Sequence, residues 1–154
     1  MNRRTSVRVN EAQKGESLMK QAATLTTASL LTILFMTFHL TGDILFRMAP
    51  AGLVNLLAVF IFVVQLYGTL VLGGRRAGYI IIFLGSALAL VVPVVHMKGT
   101  RGVIGGDIGT SSQAFLFVWT ILALGITATF SVILSASALL SLPWRRSRRA
   151  SPAA

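Results

Sequence analysis

Four long apolar stretches constrain this chain more than any other feature of its sequence. They cover about 22–46, 51–72, 78–97 and 113–142, and almost no fixed charge interrupts them. A helix rises about 1.5 Å per residue, so each stretch can cross a hydrocarbon layer of about 30 Å. Every backbone group in lipid needs a partner within the chain, which favours helices, and the alternating pattern of barrel strands is missing. The sequence predicts an all-α integral membrane protein, a bundle of four transmembrane helices.

The composition supports this class and narrows the chemistry. Charged residues make up 12% of the 154 residues, whereas soluble domains carry about 25%. The chain contains no cysteine, which excludes disulfides, thiolate metal sites and cysteine nucleophiles. Asp43 is the only acidic residue inside an apolar stretch, so neither a Ser/His/Asp triad nor a pair of inward carboxylates can be assembled. The composition therefore argues against hydrolytic catalysis.

The formal net charge of +10 is distributed unevenly along the chain. Eleven of the 14 lysines and arginines lie before the first stretch, between the second and third, or after the fourth. By the positive-inside rule, this asymmetry predicts that both termini are cytoplasmic. We therefore expect contact with anionic membrane lipids and no nucleic-acid partner. The eleven are Arg3, Arg4, Arg8, Lys14, Lys20, Arg75, Arg76, Arg145, Arg146, Arg148 and Arg149, and the other three are Arg47, Lys98 and Arg101.

The polar segments divide the chain into three parts. Residues 1–20 lack an apolar period, and we predict a mobile, basic cytoplasmic arm. Residues 21–143 form the four-helix transmembrane domain, and 144–154 form a basic cytoplasmic tail. The short connections are typical of a multi-pass protein of the bacterial inner (plasma) membrane. In general architecture, and in the stretches FHLTGD (38–43) and VVHMKG (94–99), the chain resembles small four-helix proteins of that membrane. This resemblance implies no activity and no site residues.

Small and polar side chains within the apolar stretches predict close packing between helices. Gly73 and Gly74 indicate the end of the second helix and a tight turn, so the second and third helices are expected to be antiparallel neighbours. Gln65 needs a partner on another helix, and the hydroxyls of the first helix are the expected one. Small residues at spacings of four in the last helix let another helix approach closely. We expect a homo-oligomer or a larger membrane complex.

The two histidines of the chain are placed alike in their helices. His39 follows Lys20 by 19 residues, and His96 follows Arg76 by 20, which is about 28–30 Å of helix in each case. If both helices cross the membrane in the same direction, the two imidazoles lie at one depth near the outer face. Asp43 follows His39 by one helical turn and belongs to the same level. An ionisable group within a membrane helix indicates a functional site by default.

Three interpretations of this level are open from the sequence. His39, Asp43 and Arg47 share one helical face and can form a structural network at the interface. His39, Asp43 and His96 can bind a divalent metal ion, with a methionine as a soft fourth ligand for copper. His39 and His96 can bind a haem b iron axially, with Asp43 orienting His39. The candidate methionines are Met36 and Met97.

A glycine-rich segment, MKGTRGVIGGDIGTSS at 97–112, precedes the last helix. It lacks the phosphate-binding pattern G-x-x-x-x-G-K-[ST]. We expect a flexible extracytoplasmic loop, with Ser111 or Ser112 capping the last helix.

The leading functional hypothesis from the sequence is that the chain is a non-enzymatic accessory or structural subunit of a membrane complex or oligomer. The alternative is a haem- or metal-binding protein, for electron transfer or metal handling, that uses His39, His96 and Asp43. A transporter component is a weaker alternative, because a transport path usually needs more polar positions at mid-membrane depth.

Overall fold

The computed structural model describes residues 3–45, 52–97 and 114–142, which form four α-helices. These are α1 (Arg3–Leu45), α2 (Val54–Leu70), α3 (Arg76–Met97) and α4 (Ala114–Ser141). The four predicted helices are confirmed. Three segments are long and apolar enough to cross a membrane, namely Asn10–Leu45, Arg76–Met97 and Phe115–Ser141. The fourth apolar helix, α2, is shorter, at 17 residues.

The first helix begins much earlier than the sequence pattern indicates. The sequence pattern places the start of this helix at about residue 22, whereas α1 is continuous from Arg3 to Leu45, so residues 3–20 are helical. The mobility of this arm stays a prediction. Hydropathy locates only the apolar part of a helix, whereas Glu, Gln, Lys, Arg and Met are also strong helix formers. Glu16 and Lys20 add an ion pair one turn apart, with 2.7 Å between the carboxylate and the ammonium. Residues 10–20 of α1 are exposed, so this part of the helix is a polar extension of its apolar part.

The helices pack in a ring in chain order, with α1 and α3 also touching across it. The most extensive interfaces join α4 to α3 and to α1, and α2 packs on α3 and α1. Thr32 of α1 contacts Ser131 of α4. Earlier in α1, Leu25 lines a cavity together with Ala138, which lies later in α4. Helices α1 and α4 are thus antiparallel.

Helices α3 and α4 are also antiparallel, because Pro93 faces Gly125 whereas His96 faces Phe117. Both α1 and α3 run opposite to α4 and therefore in the same direction.

Glycines permit the close pairing of α2 with α3. Gly74 has a φ of 77° in the connection between them, a left-handed conformation that favours glycine and confirms the predicted turn. A Cβ atom on Gly78 would collide with the backbone carbonyl of Leu72. The predicted antiparallel contact of the two helices is confirmed, because Gly68 faces Ile81 while Gln65 faces Gly85 farther from the turn.

The bundle interior contains a polar layer and an apolar layer. Ser29 bonds to Thr69 at 2.8 Å between their hydroxyl oxygens. The Gln65 amide donates to the Ser86 hydroxyl of α3 at 3.3 Å, so the expectation that α1 would supply its partner is wrong. Both helices offer hydroxyls at this depth, and only the rotation of the helices decides between them. An apolar cluster of Ala89, Leu124 and Ala128, with Phe35 and Met36 packed on it, forms the other layer.

Candidate metal centre

The metal-centre candidate lies where α1 and α3 approach each other at one end of the bundle. His39 and Asp43 project from the same face of α1, because they are four residues apart. His96 lies in the last turn of α3. Asp43 Oδ2 is 3.4 Å from His39 Nε2 and 3.8 Å from His96 Nε2. The parallel course of α1 and α3 thus brings together the three residues that the sequence singles out.

The two imidazoles are in direct ring contact. The centroids of His39 and His96 are 4.7 Å apart and the rings are perpendicular. Phe117 of α4 packs against both, with centroid distances of 5.3 Å to His39 and 5.8 Å to His96. One side of the site is therefore closed by an aromatic ring, which fixes both imidazoles against α4.

Because this site is buried, leaving its polar atoms without hydrogen-bond partners costs free energy. His39 is 3% exposed and Asp43 is 9% exposed. Within the described part of the chain, the fully buried side-chain atoms without a hydrogen-bond partner are His39 Nδ1, His39 Nε2 and Asp43 Oδ1. An unpaired buried polar group costs about 1–3 kcal/mol, and such groups are rare in native proteins without a bound water or ion. These three atoms all belong to His39 and Asp43, and a bound water molecule or ion would give them a partner.

His96 is held by its own helix. Its Nδ1 lies 2.9 Å from the Val92 carbonyl oxygen. Because a carbonyl can only accept a hydrogen bond, Nδ1 carries the proton and donates it. In the neutral ring, Nε2 then has a free lone pair, on the side that faces Asp43. Metal-binding histidines typically show this arrangement, with the second nitrogen bonded to a carbonyl or carboxylate.

The spacing of the donor atoms suits a small ion. One donor atom from each of His39, Asp43 and His96 lies within 4.8 Å of the others. At metal–ligand distances of about 2.0–2.1 Å, two donors of a tetrahedral ion are about 3.3 Å apart. Small side-chain rotations that bring the three atoms closer would therefore complete three ligand bonds. Two imidazole nitrogens and one carboxylate oxygen suit zinc, copper, nickel or iron better than Mg²⁺ or Ca²⁺, which prefer all-oxygen sites.

Haem does not fit between the two imidazoles in this arrangement. Axial coordination places a porphyrin between the rings, with each nitrogen about 2 Å from the iron on opposite faces. The rings of His39 and His96 touch edge to face instead, and Phe117 fills the adjoining space. Haem binding would require α1 and α3 to separate, so the geometry favours a single metal ion.

The other residues of the sequence hypotheses either do not belong to this cluster or lie outside the described residues. Met36 packs against the apolar cluster of Ala89, Leu124 and Ala128. Arg47, the proposed partner of Asp43, lies outside the described residues, as does the glycine-rich segment from residue 98 to its end.

The contribution of α4 to this site is not among the sequence predictions. Phe117 and Thr120 are both buried at this end of α4, and both line a cavity beside His39. The signal that could have found them is the stripe of hydroxylated residues in α4, because Ser131 and Ser135 are also fully buried and lie on the same helical face as Phe117 and Thr120.

No known family model, curated protein or solved structure matches this chain. The class that the fold and the site define is an all-helical protein with three helices able to cross a membrane and a buried histidine–aspartate cluster.

Proposed function

We propose that this chain is a multi-pass membrane protein that binds one divalent transition-metal ion through His39, Asp43 and His96. The observation that carries this proposal is the coincidence of two features in one place. Three potential ligand atoms lie within 4.8 Å of one another, and the unpaired buried polar atoms of the described chain belong to two of the same residues. A metal ion would bind one nitrogen of His39 and one oxygen of Asp43 and so give each residue a partner.

The outer surface of the helices supports the membrane part of the proposal. Large apolar side chains are exposed on all four helices, including Leu34, Phe60, Leu84 and Phe130. Lipid tails cover such a surface without cost, whereas water does not. Helix α2 would span about 26 Å at 1.5 Å per residue, and its antiparallel packing along α3 favours a fourth crossing at the same depth.

The proposed orientation follows from the charges at the helix ends. Along the sequence, eleven cations lie before the apolar part of α1, around the α2–α3 connection or after α4, and three lie in the other two connections. We propose both termini in the cytoplasm of a bacterium and the metal centre near the outer face of its inner membrane. The site would then exchange metal with the periplasmic side, as expected for metal handling.

Metal analysis of the purified protein tests the proposal. Protein extracted in a mild detergent without chelator should bind about one equivalent of Zn²⁺ in equilibrium dialysis. His96→Gln and His39→Gln should each lower the affinity by at least tenfold, since each removes one nitrogen donor. Thr37→Val is a matched control, because Thr37 is an exposed residue of α1 whose hydroxyl bonds only to the Ile33 carbonyl.

Two outcomes would overturn the proposal. One is the absence of stoichiometric binding of Zn²⁺, Cu²⁺, Ni²⁺ and Co²⁺ by folded protein. The other is binding that the histidine substitutions and the Thr37→Val control leave equally strong. A Soret absorption band in the purified protein would show that the chain binds haem instead of a single metal ion.

The exposed face of α2 favours a second candidate, a role as an accessory subunit of an oligomer or larger complex. Helix α2 packs only on α1 and α3 and exposes a continuous apolar face that includes Leu56, Phe60 and Val63. Single-cysteine variants at Phe60 should form disulfide-linked dimers in the membrane if this face joins two copies. Leu84→Cys on α3 is the control, and equal dimer yields from both would contradict an α2 interface.

A further inference from the structure

A cavity of about 250 Å³ lies beside the proposed metal centre, between α1 and α4. Its walls are mainly apolar and include Phe38, Gly42, Leu45, Leu116 and Phe117. Phe38, Leu45 and Leu116 are also exposed on the outside of the bundle. In a bilayer, this cavity would open between two membrane-spanning helices toward the lipid tails.

The cavity and the proposed metal centre share two residues. His39 is a wall of the cavity and a candidate ligand. Phe117 is also a wall and packs on both imidazoles. A molecule inside the cavity would therefore contact His39, one ligand of the proposed centre, whereas Asp43 and His96 are not among the cavity walls.

Such an ion would have room for a further ligand. Within the described ranges, no further histidine, cysteine or acidic residue joins His39, Asp43 and His96. Three protein ligands are typical of metal sites that leave one position open to an exogenous molecule. A divalent ion with one carboxylate and two neutral imidazoles keeps one net positive charge, so an anionic ligand complements it.

We infer that the centre binds a single-chain amphiphile of the fatty-acid class, with its carboxylate on the metal ion and its alkyl chain in the cavity. This inference rests on the proposed metal site. An engineered apolar cavity of about 150 Å³ holds a benzene molecule, so about 250 Å³ accommodates a medium alkyl chain. The opening between α1 and α4 lets a longer chain continue into the lipid.

Titration of the Co²⁺-loaded protein with linear carboxylates tests the inference. The visible absorption of Co²⁺ changes when a carboxylate enters its coordination sphere. Acetate, butyrate, hexanoate and octanoate, each kept below its micellar concentration, should all change the spectrum. Burial of one CH₂ group from water is worth about 0.8 kcal/mol, so the apparent Kd should fall about fourfold per added methylene until the cavity is full.

A cavity-filling substitution supplies the matched comparison. Leu116→Trp places a larger side chain in the wall of the cavity. Leu122→Trp changes another exposed leucine of α4 that is not among the cavity walls. The first variant should retain Co²⁺ binding and lose at least tenfold of the preference for octanoate over acetate. The second should behave as the parent protein.

The outcomes separate this inference from the proposed function. If Co²⁺ binds and no carboxylate changes its spectrum, the proposed metal site is supported and the inference of amphiphile binding is wrong. If the spectrum changes but Kd is independent of chain length, the cavity is not part of the site, and the inference is wrong. If Co²⁺ does not bind to folded protein, the proposed function fails and the inference falls with it.

Discussion

His39 of α1 and His96 of α3 lie in ring contact, with centroids 4.7 Å apart and planes at 90°. This contact exists because α1 and α3 run in the same direction and touch across the ring of helices. Asp43 lies within 4 Å of both imidazoles. The contact between these two histidines is the basis of the proposed metal centre.

The contact predicts efficient cross-linking between α1 and α3. The chain contains no cysteine, so the double variant His39→Cys/His96→Cys carries only the two thiols under test. Oxidation in native membranes should form a disulfide in most of the protein molecules. After proteolysis between α1 and α3, a mobility shift in gel electrophoresis reports this disulfide. The control pair Thr37→Cys/Val94→Cys uses exposed positions of the same two helices and should stay unlinked. Equal yields from both pairs would show that helix motion, and not proximity, governs the reaction.

The packing of α2 on α3 predicts an interaction between Gln65 and Gly85. A Cβ atom on Gly85 would lie 2.6 Å from Gln65 Oε1, so Gly85→Ala should destabilise the protein by about 1–3 kcal/mol. In a Gln65→Ala background that contact is absent, and the same substitution should cost much less. Unfolding in detergent, analysed as a double-mutant cycle, measures the coupling.

A second glycine serves as the control for this cycle. At Gly125 the nearest atom to an added Cβ is Pro93 Cγ at 3.5 Å, an ordinary contact. Gly125→Ala should therefore be neutral or stabilising by up to about 1 kcal/mol, because alanine is the better helix former. If Gly85→Ala is as harmless as Gly125→Ala, then the close approach of Gln65 to α3 is not present in the folded protein.

The sequence predicts which segments form helices better than it predicts how each helix is rotated about its own axis. Apolar length alone locates α2, α3 and α4, and Gly73 and Gly74 correctly indicate the turn after α2. The matched distances from Lys20 to His39 and from Arg76 to His96 correctly predict that the imidazoles meet. That inference works because helix rise is nearly constant, so a count of residues is a measurement of depth.

Features that depend on rotation about a helix axis are not predictable in this way. Phe117 belongs to the site only because α4 turns that face inward, and the same face carries Ser131 and Ser135, which are fully buried. Gln65 bonds to Ser86 although the hydroxyls of α1 are chemically equivalent candidates. The start of α1 at Arg3 is missed for a different reason, since a polar helix of strong helix formers has no hydropathy signal.

The asymmetry of cations predicts the topology of the chain in the membrane. Reporter fusions after Ala154 should be active only for a reporter that works in the cytoplasm, because eleven of the 14 cations lie before the apolar part of α1, around the α2–α3 connection or after α4. A fusion in the segment 98–113 should be active only for a periplasmic reporter. The reverse pattern at either position would show that one of the four helices, α2 first of all, does not cross.

Asp43→Asn separates a ligand from a structural residue. If Asp43 is a metal ligand, Zn²⁺ at about 100 times its Kd should stabilise the parent protein by about 2.7 kcal/mol and stabilise the variant far less. The metal-free forms should then unfold at similar temperatures. If Asp43 instead holds a structural network, the metal-free variant should lose about 1–3 kcal/mol, and Zn²⁺ should have no effect on either protein.

X-ray absorption spectroscopy of the Zn²⁺-loaded protein tests the central claim most directly. The account predicts about one zinc per chain with ligands at about 2.0–2.1 Å and the outer-shell scattering of two imidazole rings. His96→Gln should reduce that scattering to one ring. A zinc shell of oxygen atoms alone, or an imidazole contribution that His96→Gln leaves unchanged, would contradict a metal centre built from His39, Asp43 and His96.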